Sequence, residues 1–155
     1  MKKNLVIACC FIIFLGCNLD DGTEGVAPPN FDVLGLWDLT EVNVNPPQDL
    51  NEDGTASANL LNELDCLSGE LLIDGNLQWE LNQTELIVTT ITNGLFEIQC
   101  NGMITETGAW FSDENEVTFT GNSLFSSLEI EDETLVFIAG EDLPGIQSFI
   151  YVLRQ

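Results

Sequence analysis

From Ser68 to the C-terminus, apolar and polar residues alternate with a period of two, and the alternation is broken by turn dipeptides at Asp74-Gly75, Asn93-Gly94 and Asn101-Gly102. Leu77, Trp79 and Leu81 interleave with Gln78 and Glu80, and Val117 and Phe119 lie between Glu116, Thr118 and Thr120. Successive side chains of a strand point to opposite faces, so this pattern builds strands with one buried and one wet face. Strands are expected at 70–74, 77–82, 84–92, 95–100, 103–111, 115–120, 124–130, 134–139 and 146–154. A meander of that length protects its edges by closing into a barrel or folding into a sandwich. Short hairpin connections favour up-and-down order, and hence a barrel, over the longer crossovers of a Greek key.

The folded part opens at Phe31, and its apolar residues change face along the way. Trp37 and Leu39 share one side of a strand, whereas Val42 and Val44 fall on the other. A bulge near Thr40 and Glu41 would bring them together. Beyond Pro46 and Pro47 lies an Asp-rich loop, Asp49 to Asn59. Leu60, Leu61 and Leu64 then recur at helical spacing behind Ser57 as N-cap, which predicts a helical segment over 58–66. The fold class that follows is all-β: an antiparallel up-and-down barrel with one short helix after the first strand.

The first residues set the compartment. Lys2 and Lys3 precede an apolar run from Leu5 to Leu15, too short to cross a ~30 Å hydrocarbon layer but suited to a secretory signal. Removing residues 1–16 leaves a chain sized for one domain. The whole sequence carries 26 acidic and 3 basic residues, a formal charge of -23, and both lysines leave with the signal. Arg154 is then the sole basic side chain, and nucleic acid and acidic lipid headgroups are poor partners. The sequence has no histidine, which removes histidine-assisted hydrolases and imidazole-built zinc sites. Paired carboxylates of the glycoside hydrolase kind remain, but so many acids bring pairs together by chance. No catalytic residue is assigned.

Of five cysteines, Cys9 and Cys10 lie in the signal and Cys17 at its end. Cys66 and Cys100 remain in a compartment that permits disulfides and are expected to pair, the alternative being two free buried thiols. In the chain-entropy model a loop of that length stabilises the fold by roughly 3–4 kcal/mol.

Asp49, Asn51, Asp53, Thr55 and Ser57 place oxygens at positions 1, 3, 5, 7 and 9 of an EF-hand or dockerin-type calcium loop, with Gly54 at position 6. Position 12 is Leu60, so the last ligand would have to come from Asn59, Glu63 or elsewhere. A weak calcium site on Asp49, Asn51, Asp53 and Thr55 is one expectation, and a surface loop held by Asx-turns the other.

Phe14-Leu15-Gly16-Cys17 resembles the lipobox of bacterial lipoproteins, which implies cleavage before Cys17 and lipid on its sulfur and amine; an ordinary signal with an incidental cysteine is the alternative. Residues 17–30 read as an acidic tether. Its Asp20 and Asp21 resemble tags that send some lipoproteins to the outer face of the outer membrane, a merely soluble linker being the other reading. Gly35-Leu36-Trp37 looks like the first strand of lipocalin-like domains. Gly108-Ala109-Trp110-Phe111 with Glu116-Val117-Thr118-Phe119-Thr120 is similar to the paired strands of lipocalin-like lipoproteins of outer-membrane bacteria. The resemblance covers 31–155, although the Thr-Asp-Tyr element of many secreted lipocalins is absent. It implies structural roles for Gly35, Trp37 and Arg154, with Arg154 stacked on the Trp37 ring for about 0.5–2 kcal/mol, as against a solvated C-terminus.

The expected function is that of a lipid-anchored cell-envelope protein of the outer membrane, binding a small apolar or amphipathic ligand in the barrel. The alternative is a surface module that binds glycan or a protein partner through its loops, with the interior filled. The anchor is tested by Cys17→Ala, which should abolish both cleavage and labelling by a fatty-acid analogue. If wild-type and variant chains label and migrate alike, Cys17 carries no lipid.

Overall fold

The opening strand β1 (Gly35–Gln48) hydrogen-bonds along one side to the last strand and thereby closes the sheet on itself. The computed structural model describes residues 29–121, 124–140 and 143–155. The expected signal, Cys17 and the expected tether up to residue 28 lie outside the described residues. After β1 come β2 (Ser57–Asn59), β3 (Gly69–Ile73), β4 (Gln78–Thr90), β5 (Phe96–Ser112), β6 (Glu116–Phe119), β7 (Ser127–Glu131), β8 (Thr134–Ile138) and β9 (Ile146–Leu153). Apart from β2, each strand pairs antiparallel with its neighbour in the closed order β1-β3-β4-β5-β6-β7-β8-β9. This is an eight-stranded up-and-down, lipocalin-like barrel, the architecture that the alternation predicts, built from fewer and longer strands than the nine expected after Ser68. β2 adds a short outer strand along the second half of β1, where β3 does not reach.

The face change in β1 is resolved where the sequence places it. Leu39 pairs with Tyr151 and Val42 with Phe149, so Thr40 and Glu41 together oppose Ile150. This bulge turns Trp37, Leu39, Val42 and Val44 all to the interior, where each is buried.

Four expectations are corrected. Asn101-Gly102 does not turn the chain, because β5 runs through it as one strand of 17 residues. The dipeptide forms a bulge, with Thr84 opposite Met103 and Leu86 opposite Cys100, so β4 is also continuous. Gly102 takes the positive φ of 88° that a bulge and a turn alike require. The helix after β1 is a single 3-10 turn, Leu60–Asn62, and its N-cap is Asn59, whose side chain accepts from the Leu61 amide, rather than Ser57. The residues before it are drawn into β2, which leaves Leu60 and Leu61 too little chain for an α-helical turn.

Gly35, expected to be structural, has φ of 150°, a backbone conformation that residues with a side chain rarely adopt. The same end of the barrel is covered by the N-terminal segment. Asn30 N donates to Ser112 O at 3.1 Å, Ser112 Oγ donates to Asn30 O at 2.6 Å, and the Trp37 indole donates to Val33 O at 2.9 Å.

A polar pair lies in the core: Tyr151 Oη donates to Gln83 Oε1, and both residues are buried. Burial pushes the Tyr151 phenol far above its usual range. The proton is therefore lost first from the unfolded chain. Stability from this group is intact below the unfolded value of ~10 and falls as pH rises beyond it. Because Tyr151 is the only tyrosine, tyrosinate absorbance should appear only with loss of near-ultraviolet circular dichroism, above pH ~10. Absorbance that rises while the fold persists would contradict the buried placement.

Candidate functional site

Inside the barrel, the place expected for a ligand, the space is taken by the chain's own side chains. Trp79 packs on Phe119 with ring centroids 5.1 Å apart, and Phe137 on Phe149 at 5.9 Å. Between them stands Phe125, from the connection that precedes β7. Its ring lies 5.1 Å from Phe137, 6.0 Å from Tyr151 and 6.2 Å from Phe119. The alternation places Phe125 within an expected strand, 124–130, and nothing in its neighbours Leu124 and Ser126 signals that it fills the centre. Leu71, Leu81, Leu128 and Leu135, all buried, complete the packing.

Among the described residues, the larger concavities lie on the outside of the barrel. One, of about 410 Å³, runs between β1, β3 and the crossover 60–68. Leu39, Leu61, Leu67 and Met103 form its apolar part, and Asp38, Glu70 and Asn82 its polar rim. These three rim residues are cross-strand neighbours, Asp38 opposite Glu70 and Glu70 opposite Asn82. The crossover is fastened by the Cys66–Cys100 disulfide, formed as expected, with S–S 2.01 Å.

Arg154 belongs to the same rim. Its guanidinium binds Asp38, with Nε at 2.8 Å from Oδ2 and Nη2 on Oδ1, and Nη2 also meets Glu70 Oε1. The stack on Trp37 implied by the resemblance is thus replaced by an ion-pair network. Neighbouring residues of a strand face opposite ways: Trp37 is buried inward, and Arg154 joins Asp38 on the outer face. Nor is the end frayed, since Arg154 N donates to Leu36 O at 2.8 Å. The hydrogen bond from Arg154 holds the Asp38 carboxyl below its usual range, and the Asp38 and Glu70 bonds push the guanidinium upward.

The acidic loop closes through Asx-type bonds. Asp49 accepts from Asp53 N at 3.1 Å and Gly54 N at 2.9 Å, Asn51 Oδ1 from Asp53 N at 2.9 Å, and Asp53 Oδ1 from Thr55 N at 2.8 Å. Thr55 is exposed. Glu63, buried in the segment after the 3-10 turn, reaches back so that Oε2 accepts from Leu50 N at 2.9 Å and Asn51 N at 3.3 Å. Among the described residues, no three His, Cys, Asp or Glu side chains converge as metal ligands.

Comparison with known proteins finds no matching family model, no similar curated protein and no similar solved structure.

Proposed function

We propose that the chain is a lipid-anchored protein of the bacterial cell envelope, related to lipocalin-like lipoproteins, whose barrel serves as a filled scaffold for binding at its outer surface. The carrying observation is Phe125, which with Phe119, Phe137 and Tyr151 occupies the centre where an apolar ligand would lie. This favours a surface module over an interior carrier. Attachment at Cys17 would bring the tether in at the end where Asn30 bonds to Ser112. The loop 49–56 and the β4–β5 turn stand at the other end, away from the anchor. The 26 carboxylates suit neutral or cationic partners, and the outer membrane is the proposed location.

The interior is tested with a neutral apolar fluorophore, N-phenyl-1-naphthylamine. Wild type should give no saturable one-to-one enhancement, whereas Phe125→Ala, which removes the central ring at a cost of about 3–5 kcal/mol, should gain a binding site. Saturable binding by wild type, with shifts at the inward-facing aromatics, would restore the interior-carrier reading.

We also infer a weak calcium dependence of the loop that starts at Asp49. The favouring observation is Glu63, which folds back onto the amides of Leu50 and Asn51 and so returns a carboxylate to a loop whose twelfth position is Leu60. Asp49, Asn51, Asp53 and the Thr55 carbonyl would hold the ion. As they stand, the carboxylates face loop amides rather than a common point, so the ion must compete with those bonds, and affinity falls on the order of 0.1–1 mM. Calcium should raise the melting temperature of wild type slightly and saturably. An equal rise in Asp49→Ala/Asp53→Ala, or with magnesium, would leave the loop a turn and nothing more.

A further inference from the structure

We propose that the outer groove between β1, β3 and the crossover 60–68 binds a small amphipathic cation: an aliphatic ammonium whose chain lies along Leu61, Leu67 and Met103 and whose head sits at Asp38 and Glu70. The proposal rests on the reading of the barrel as a filled scaffold and names the site and ligand class of that surface.

The groove exists because the sheet splits. β3 begins at Gly69, so beyond Asp38 the β3 side of β1 has no strand until β2. The Asn59 side chain stands in for one, with Oδ1 accepting from Val42 N at 3.1 Å and Nδ2 donating to Thr40 O at 3.2 Å. The crossover that forms the other wall is fixed before any ligand arrives. Besides the disulfide, Thr84 Oγ1 donates to Cys66 O at 2.8 Å and accepts from Ser68 N at 3.1 Å. A preformed site spares a ligand the cost of ordering it.

The apolar part meets water at Met103 and, partly, at Leu61, while Leu39 and Leu67 are buried. Met103 is 59 % exposed, with its sulfur 3.5 Å from Thr84 Oγ1, and a volume of about 410 Å³ is that of a small-ligand site. The head group is decided by charge. Asp38 and Glu70 share one guanidinium, and Arg154 is the sole basic side chain among the described residues, so the rim keeps a net negative charge. Asn82 offers no selective contact, because Oδ1 already accepts from Thr105 Oγ1 at 2.6 Å and Nδ2 donates to Glu80 at 2.7 Å. An anionic head would have to displace a carboxylate from Arg154 against the field of the whole chain. An ammonium adds a donor where acceptors are in excess.

The mature chain, produced from residue 17 without its lipid, would be titrated with n-octylammonium chloride and followed by amide chemical shifts, with octanoate and octanol as controls. Shifts at Leu61, Gly69, Glu70 and Met103 should saturate at one equivalent. Glu70→Gln should weaken binding and Arg154→Gln, which releases both carboxylates, should tighten it, each by about three-fold as for an exposed charge pair. Both substitutions are at the surface, and an amide spectrum unchanged away from the groove would show that the fold is kept. Scattered, non-saturating shifts over the acidic surface, or an equal response to octanol or octanoate, would overturn the site while leaving the filled scaffold intact. Shifts at Phe125 and Tyr151 in place of the groove would overturn the scaffold reading, and the groove site with it.

Discussion

Two residues of β1, Thr40 and Glu41, stand opposite one of β9, Ile150, and the closed barrel depends on that mismatch. A strand that keeps strict period two from Trp37 would turn Val42 and Val44 to solvent, and a register slip by one residue exchanges every side chain between core and surface. With the extra residue absorbed, Tyr151 and Phe149 of β9 both point inward opposite Leu39 and Val42, and a second register shift, at Gln147, brings Ile146 opposite Val44. Pairing of the first with the last strand then removes the two edges that an open meander would expose. The price of the bulge is a local loss of pairing on β1, and Thr40 Oγ1 partly restores it by donating to Ile150 O at 3.2 Å.

Once the sheet closes, the size of its inward-facing side chains settles what the barrel can be used for. Trp37, Trp79 and Trp110 all point in, and Phe125 enters from a connection to take the remaining centre. Among the buried polar residues, Tyr151 donates to Gln83 Oε1 inside the barrel, a hydrogen bond that adds directional specificity to the packing. On the proposed reading, a barrel this full would bind on the outside. There the sheet is not uniform: β3 is short and β1 long, so the wall opens into a groove where the strands part.

The strand pattern, the bulge in β1 and the Cys66–Cys100 pairing were legible in the sequence because each rests on local or countable information: alternation, a change of face, and two cysteines left after the leader is set aside. Asn101-Gly102 was misread because a turn and a bulge call for the same residue types. What separates them is the pairing of Thr84 with Met103 across 19 positions of chain. The helix over 58–66 failed for a related reason. Leu60, Leu61 and Leu64 have helical spacing, but pairing of Ser57–Asn59 with β1 takes the residues that would start a helix. The site was harder still. Arg154 finds Asp38 at a separation of 116 residues and Glu70 at 84, and no local signal distinguishes that outcome from a ring stack one residue away.

The placement of the single arginine has a physical logic of its own. An exposed ion pair contributes little to stability, and in a chain so rich in carboxylates a guanidinium would find a partner almost anywhere. Here the partners are on β1 and β3, while Arg154 directly follows β9, so one side chain spans the three strands at the closure seam. Asp38 and Glu70 are also direct cross-strand neighbours, and two like charges in that relation repel. The guanidinium relieves this repulsion where it would otherwise loosen the seam. The depressed pKa of Asp38 fixes the sign: the contribution is present above the unfolded carboxyl value near 4 and is lost as pH falls through the folded one. Acid therefore weakens the seam that β1 and β9 close, and the same protonation removes negative charge from the rim of the outer groove.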